Sequence, residues 1–165
     1  VIPLYFKKEN VGSMPYEYKL LELPMQHTLT IRTRSSFQNL PQVIGNAYKS
    51  IIAYLGELNE HPTGMPFVIY YNLDMQNLDV EIGFPVSKVY QDKDNIKSSK
   101  IDAGKFATTI HVGPYEAMVP AYEGLMQWIT ENGYEATGLA IEYYWNDPNE
   151  VGMEHAKTEI HFPLK

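Results

Sequence analysis

Residues 45–72, GNAYKSIIAYLGELNEHPTGMPFVIYYN, resemble a stretch that follows later in the chain. Moving them by 74 positions (121 minus 47) places them, without a gap, on residues 119–146, VPAYEGLMQWITENGYEATGLAIEYYWN. Identical residues at matched positions include Ala47 and Ala121, Tyr48 and Tyr122, Gly64 and Gly138, Tyr70 and Tyr144, and Asn72 and Asn146. A repeat of this length predicts a duplicated structural unit.

The flanking segments extend the repeat at slightly different shifts. Residues 79–86, DVEIGFPV, match 157–164, KTEIHFPL, at a shift of 78, and residues 23–31 match 102–110 at 79. Alternating and helical hydrophobic periods then predict one strand, one helix and two strands in each half. The predicted elements are 18–34, 41–58, 66–73 and 79–86 in the first half, and 97–112, 116–132, 139–146 and 157–163 in the second.

The expected fold class is therefore α+β, a pseudo-twofold duplication of βαββ units with a mainly antiparallel sheet and two main helices. Each helix carries an apolar stripe that would cover a sheet. The stripe residues are Ile51, Ile52, Leu55 and Leu58, and Tyr122, Leu125, Met126 and Ile129. The halves are expected at about 16–87 and 97–165, joined by the polar connector 88–99, with residues 1–15 as an N-terminal extension or linker.

Composition excludes several classes of function. The formal charge of −7, without a run of Lys or Arg, argues against a direct nucleic-acid partner. Cysteine is absent, and the five histidines show no metal-ligand spacing, so neither a metal nor a cofactor is expected. No apolar run reaches the roughly 18 residues of a spanning helix. A cytoplasmic location is expected, although a start at Val1 leaves room for a partner domain or an anchor upstream.

A carboxylate stands inside the predicted strand 139–146. Side chains alternate along a strand, so Ile141, Tyr143 and Trp145 share an apolar face while Ala140, Glu142 and Tyr144 share the other. The repeat places Val68 where the second half has Glu142, and Tyr70 where it has Tyr144.

Two interpretations of Glu142 follow from the residues. It lies on a solvated face or pairs with a cation in a structural role, since an unpaired buried carboxylate is costly. Alternatively, it lies at the floor of a groove between the halves with Val68, flanked by Tyr70 and Tyr144, where aromatic rings and one negative charge suit a flat lipophilic cation.

A family resemblance bears on this choice. The motifs are HVGPYE (111–116), AYE (121–123), EYYWNDP (142–148) and TEIHFP (158–163). They resemble the GyrI-like small-molecule-binding domain, also called the AraC-type effector-binding domain, of the SOUL-like fold, over about residues 16–164. The resemblance implies a bacterial protein related to transcription regulators and multidrug-binding proteins. It also implies that Glu142, with Tyr144 beside it, contacts cationic or aromatic ligands in a hydrophobic groove.

Several functions stay open at this point. The leading one is a domain that senses or sequesters small amphipathic ligands, with the output supplied elsewhere, because the chain lacks a helix-turn-helix segment. The alternative, implied by some relatives, is a hydrolase of reactive electrophiles with Glu142 as general base, assisted by Tyr144 or Tyr70. Binding without catalysis is favoured. A protein-binding inhibitor, as in gyrase-inhibiting relatives, fits the dispersed charges poorly, and a haem carrier lacks an axial-ligand signal.

Other polar residues are predicted to be structural. Glu81 and Glu159 occupy matched positions in strands that look like sheet edges, and repetition favours a shared structural role. His111 and His161 are expected to be hydrogen-bonded or exposed residues rather than site residues.

Overall fold

The computed structural model describes residues 16–165, and in that part of the chain the βαββ pattern occurs twice. The helices are α1 (Leu40–Glu57), α2 (Val119–Glu131) and the short α3 (Pro148–Val151). The strands are β1 (Lys19–Leu23), β2 (Gln26–Ser35), β3 (Phe67–Tyr70), β4 (Leu78–Pro85), β5 (Lys97–Ile101), β6 (Gly104–Val112), β7 (Ala140–Tyr144) and β8 (Lys157–Pro163). The predicted α+β duplication with antiparallel pairing is confirmed. The N-terminal extension predicted at 1–15 lies outside the described residues.

Short interruptions divide the two long strands predicted at 18–34 and 97–112. Pro24 and Met25 separate β1 from β2, and Asp102 and Ala103 separate β5 from β6. Proline has no N–H for a strand ladder, which explains the first interruption. Residues 97–99, which the predictions assign both to the polar connector and to the strand 97–112, belong to β5.

Each interruption changes the grouping of strands. The first unit comprises residues 24–104, with strand order β3-β4-β2-β5. The second unit comprises residues 16–23 and 105–165, with strand order β1-β6-β8-β7. Each compact unit therefore contains one βαββ repeat and the short strand that precedes the other repeat along the chain. The halves predicted from the sequence differ from these units because β1 belongs to the second unit and β5 to the first.

Strand register shows which residues of the two repeats are equivalent. Thr30 pairs with Gly83 in the first unit, and Thr108 pairs with His161 in the second, so β2 and β6 correspond at a shift of 78. The shift of 79 predicted for this strand is wrong by one residue, and such a slip would exchange the two faces of the strand. The shift of 74 for the helix and the next strand is confirmed, because Val68 pairs with Ile82 where Glu142 pairs with Ile160.

The helices begin alike and bury a narrower stripe than predicted. Both α1 and α2 have proline in the first turn, where its missing N–H costs nothing. The predicted stripe residues Ile52, Leu58 and Met126 are 45%, 41% and 45% exposed. The buried face is formed by Ala47, Ile51, Tyr54 and Leu55 in α1, and by Ala121, Tyr122, Leu125 and Ile129 in α2. None of the helices in residues 16–165 combines the length and apolarity needed to cross a membrane.

Candidate functional site

Glu142 is in the middle of β7 and is fully buried, with 0% of its surface exposed. Residues directly opposite each other on neighbouring strands point to the same face of a sheet. Register therefore places Glu142 with Ile160 of β8, and Ile160 with Thr109 of β6, on one face. Helix α2 covers this face, since Tyr122 packs on Phe162 with ring centroids 5.4 Å apart and reaches Glu142.

Two tyrosines hold the carboxylate. The Tyr122 hydroxyl donates a hydrogen bond to Oε2 of Glu142, and the Tyr144 hydroxyl donates to Oε1 at 2.9 Å. Hydrogen bonds to a charged acceptor are roughly twice as strong as neutral ones, which offsets part of the cost of burying the carboxylate. The donors are neutral, so these two bonds distribute the negative charge without cancelling it.

A third tyrosine approaches from the loop after β6. Gly113 has a φ of 132° there, which favours glycine, and the chain then enters a 3₁₀ turn at Tyr115–Ala117. His111 holds this loop through a hydrogen bond from Nε2 to the carbonyl oxygen of Pro114 at 2.9 Å. The Tyr115 ring lies 6.0 Å from the Tyr144 ring, so the loop brings an aromatic face to the site.

The negative charge of Glu142 affects the pKa of Tyr115. Burial, and after it the negative charges of Glu142 and Asp147, together raise the pKa of Tyr115 to about 12. Tyr115 therefore stays a neutral phenol at physiological pH.

The site residues predicted from the sequence lie in both units. Glu142 and Tyr144 are joined by a hydrogen bond in the second unit. Val68 and Tyr70 lie on β3 of the first unit, where they are 0% and 1% exposed. That these two residues contact the same ligand as Glu142 stays a prediction.

Sequence reasoning missed two residues of the candidate site. Tyr122 was predicted only as part of an apolar stripe, and Tyr115 only as part of a motif. The repeat contained a signal for Tyr122. Tyr48 and Tyr122 are identical at matched positions, and the same shift of 74 matches Val68 with Glu142. Nothing local in the sequence shows that Tyr115 turns back toward β7.

Two other carboxylates on strands, those of Glu81 and Glu159, are hydrogen-bonded to neighbouring side chains. Glu81 accepts hydrogen bonds from Thr30 at 2.7 Å and Tyr71 at 2.6 Å, and Glu159 contacts Nε2 of His161 at 2.6 Å. The His161 hydrogen bond is the main cause that lowers the pKa of Glu159. The prediction that β4 and β8 are edge strands is wrong, because each lies between two other strands of its unit.

His111 and His161, the two histidines on described strands of this unit, have different contacts. Both ring nitrogens of His111 are bonded, Nδ1 to the Tyr16 hydroxyl at 2.7 Å and Nε2 to Pro114. His161 packs against Tyr143 at 4.7 Å between ring centroids. Within residues 16–165, no group of three or more His, Cys, Asp or Glu side chains is arranged to hold a metal ion.

The family profile of the GyrI-like small molecule binding domain matches residues 16–165. Because the match covers more than half of the chain, the chain belongs to the GyrI-like small-molecule-binding domains. No protein with a curated description matches the sequence significantly.

Solved structures agree with this assignment. The C-terminal domain of EcmrR is 28% identical, with a TM-score of 0.68 over 92% of this chain and 99% of that domain. In the EcmrR–DNA complex the match has a TM-score of 0.70 and 28% identity over 91% of this chain, but it spans only 57% of the EcmrR chain.

More distant structures share the fold. A hydrolase from Listeria innocua is 16% identical, with a TM-score of 0.69 over 90% of this chain and 92% of that one. SAV2435 bound to tetraphenylphosphonium is 15% identical, with a TM-score of 0.65 over 90% of this chain and 94% of that one. At these identities the likeness concerns the fold alone.

Proposed function

We propose that this domain binds small amphipathic cations at Glu142 and acts as a sensor or sequestering domain, with the signalling output supplied by another domain or protein. The observation that carries the proposal is a fully buried carboxylate held by two tyrosines and approached by a third. Membership of a small-molecule-binding family supports it. We expect the domain to work in the cytoplasm, as predicted from its sequence.

The chemistry of the site favours a cation with aromatic groups. A positive charge gains Coulomb energy beside a carboxylate in a low-dielectric environment, and tyrosine faces attract cations through the ring quadrupole. The same rings offer apolar surface to the rest of the ligand. A neutral ligand would gain only the second contribution.

Access to Glu142 requires side chains to move. Tyr115 and Tyr144 are half-buried, whereas Glu142 is fully buried, so these two rings are the ones that a ligand from solvent would displace. Displacement of Tyr144 breaks its hydrogen bond to Glu142. A cation replaces that bond with a charge interaction, and a neutral ligand does not.

The test compares a cation with a neutral ligand of similar shape. Isothermal titration calorimetry with tetraphenylphosphonium and with triphenylphosphine oxide should show at least about tenfold tighter binding of the cation, which corresponds to about 1.4 kcal/mol. EcmrR, a DNA-bound relative, and SAV2435 bound to tetraphenylphosphonium motivate the sensor role and the choice of probe. Equal affinities for the two compounds would contradict the proposal.

A hydrolase with Glu142 as general base remains the second candidate, favoured by the buried carboxylate itself. Both of its oxygens accept hydrogen bonds from tyrosines, so this role requires one of those bonds to open for a water molecule. Long incubation with an aromatic epoxide such as styrene oxide discriminates between the candidates. We expect the compound to be lost no faster than in protein-free buffer, whereas multiple turnovers above that rate that disappear in Glu142→Gln would establish the hydrolase.

A further inference from the structure

Thr158 carries a buried hydroxyl for which the described residues 16–165 supply no hydrogen-bond partner. The residue is 0% exposed and lies on the central strand β8. Its direct neighbours are Tyr144 on β7 and His111 on β6, so all three side chains point to the face of the sheet that carries Glu142. The hydroxyl is therefore part of the immediate surroundings of the candidate site.

Both polar neighbours of Thr158 are bonded elsewhere. The Tyr144 hydroxyl donates to Glu142, which draws its side chain along β7 rather than across to β8. Nε2 of His111 donates to the Pro114 carbonyl oxygen, which can only accept, and Nδ1 is bonded to the Tyr16 hydroxyl at 2.7 Å. The two groups best placed to satisfy Thr158 are thus already engaged.

The first unit shows that packing alone does not require a hydroxyl at this position. The residue equivalent to Thr158 at the shift of 78 is Val80, which is also 0% exposed. Valine has nearly the shape of threonine, and an unsatisfied buried hydroxyl is unfavourable compared with a methyl group. A threonine at position 158 therefore weakens the apo fold relative to valine.

We infer that Thr158 is a second hydrogen-bonding point of the Glu142 site, and that the preferred ligands combine a cationic centre with a hydroxyl or carbonyl oxygen. This inference rests on the proposed function. Glu142 pairs with Ile160, two residues from Thr158 along β8, and side chains in such diagonal positions lie about 7 Å apart. A ligand that displaces Tyr144 places its charge at Glu142 and its oxygen at Thr158.

The experiment uses two cations that differ by one hydroxyl, tetraphenylphosphonium and (4-hydroxyphenyl)triphenylphosphonium. Their dissociation constants are measured by calorimetry on the parent chain, Thr158→Val and Thr158→Ser. The quantity of interest is the preference for the hydroxylated cation, expressed as the ratio of the two constants. We expect this ratio to fall about three- to tenfold in Thr158→Val, which corresponds to one neutral hydrogen bond.

Thr158→Ser is the matched control because it keeps the hydroxyl, and its ratio should stay within about twofold of the parent value. Thr158→Val should unfold at a temperature equal to or higher than the parent, since it removes an unsatisfied hydroxyl. If both cations bind the parent and Thr158→Val keeps the parent ratio, the inference is overturned while the proposed function stands. If neither cation binds the parent, the proposed function fails and this inference fails with it.

Discussion

The two units keep the same packing around one strand position but fill that position differently. In the first unit Tyr48 packs on Phe84 with ring centroids 5.0 Å apart and planes at 58°. In the second unit the equivalent pair, Tyr122 and Phe162, has a centroid distance of 5.4 Å and an angle of 56°. The helix-to-sheet contact is therefore nearly unchanged, although Val68 in one unit corresponds to Glu142 in the other.

What changes is the acceptor for the helix tyrosine. The Tyr48 hydroxyl donates to the backbone carbonyl of Phe67 at 3.0 Å, whereas the Tyr122 hydroxyl donates to the carboxylate of Glu142. The strand residues around this position also become more polar in the second unit. Ile31 and Val80 in the first unit correspond to Thr109 and Thr158 in the second. A duplicated scaffold thus tolerates a buried charge where hydroxyl donors already stand.

A glutamate introduced into the first unit tests that tolerance. At position 68 it has Tyr48 and Tyr70 in the places that Tyr122 and Tyr144 occupy around Glu142. At position 82 its direct strand neighbours are the apolar residues Ile31 and Val68. At pH 7 we expect the free energy of unfolding of Ile82→Glu to lie about 3 kcal/mol below that of Ile82→Gln, because the unpaired charge must be neutralised or desolvated.

The corresponding difference between Val68→Glu and Val68→Gln should be smaller by at least about 1 kcal/mol, because the tyrosines stabilise the carboxylate. Urea denaturation of the four variants measures both differences, and the glutamine variants control for side-chain volume. Equal charge effects at the two positions would mean that the tyrosines do not explain the tolerance.

Removal of the tyrosine hydroxyls compares the two acceptors directly. Tyr122→Phe takes a donor from a buried carboxylate, so we expect a loss of about 1.5–3 kcal/mol in the free energy of unfolding. Tyr48→Phe, its matched control, takes a donor from a neutral carbonyl and should cost about 0.5–1.5 kcal/mol. Both changes leave the ring contact in place. A larger loss in Tyr48→Phe would contradict the assignment of Tyr122 as a principal support of Glu142.

Much of the fold could be predicted from the sequence because the duplication makes each main element occur twice. The helix and the strand that follows were placed at the correct shift of 74, since large identical residues such as Tyr70 and Tyr144 anchor the match. The first strand was displaced by one residue because its β-branched and small residues match nearly as well at either shift. Burial distinguishes the two shifts. A shift of 78 matches Arg32 with Ile110, and both residues are exposed.

The candidate site was predictable only in part. A glutamate among apolar residues identified β7, and strand alternation placed Tyr144 on the same face. Tyr122 lies on a helix and Tyr115 in a turn. The alternation of side chains along a strand does not show which residues of other elements contact that strand. The partnerless hydroxyl of Thr158 was beyond sequence reasoning, because it depends on where the hydroxyl of Tyr144 and the ring of His111 point.

Cation binding is expected to depend on Glu142 rather than on buried carboxylates in general. Glu81 is the control, since it is 8% exposed and also accepts a tyrosine hydrogen bond, from Tyr71. Calorimetric titration of tetraphenylphosphonium into Glu142→Gln and Glu81→Gln is the most direct measurement. We predict that Glu142→Gln weakens binding by about 1–3 kcal/mol and that Glu81→Gln changes it by less than about 0.5 kcal/mol. Equal weakening by the two variants, or unchanged binding in Glu142→Gln, would contradict the account.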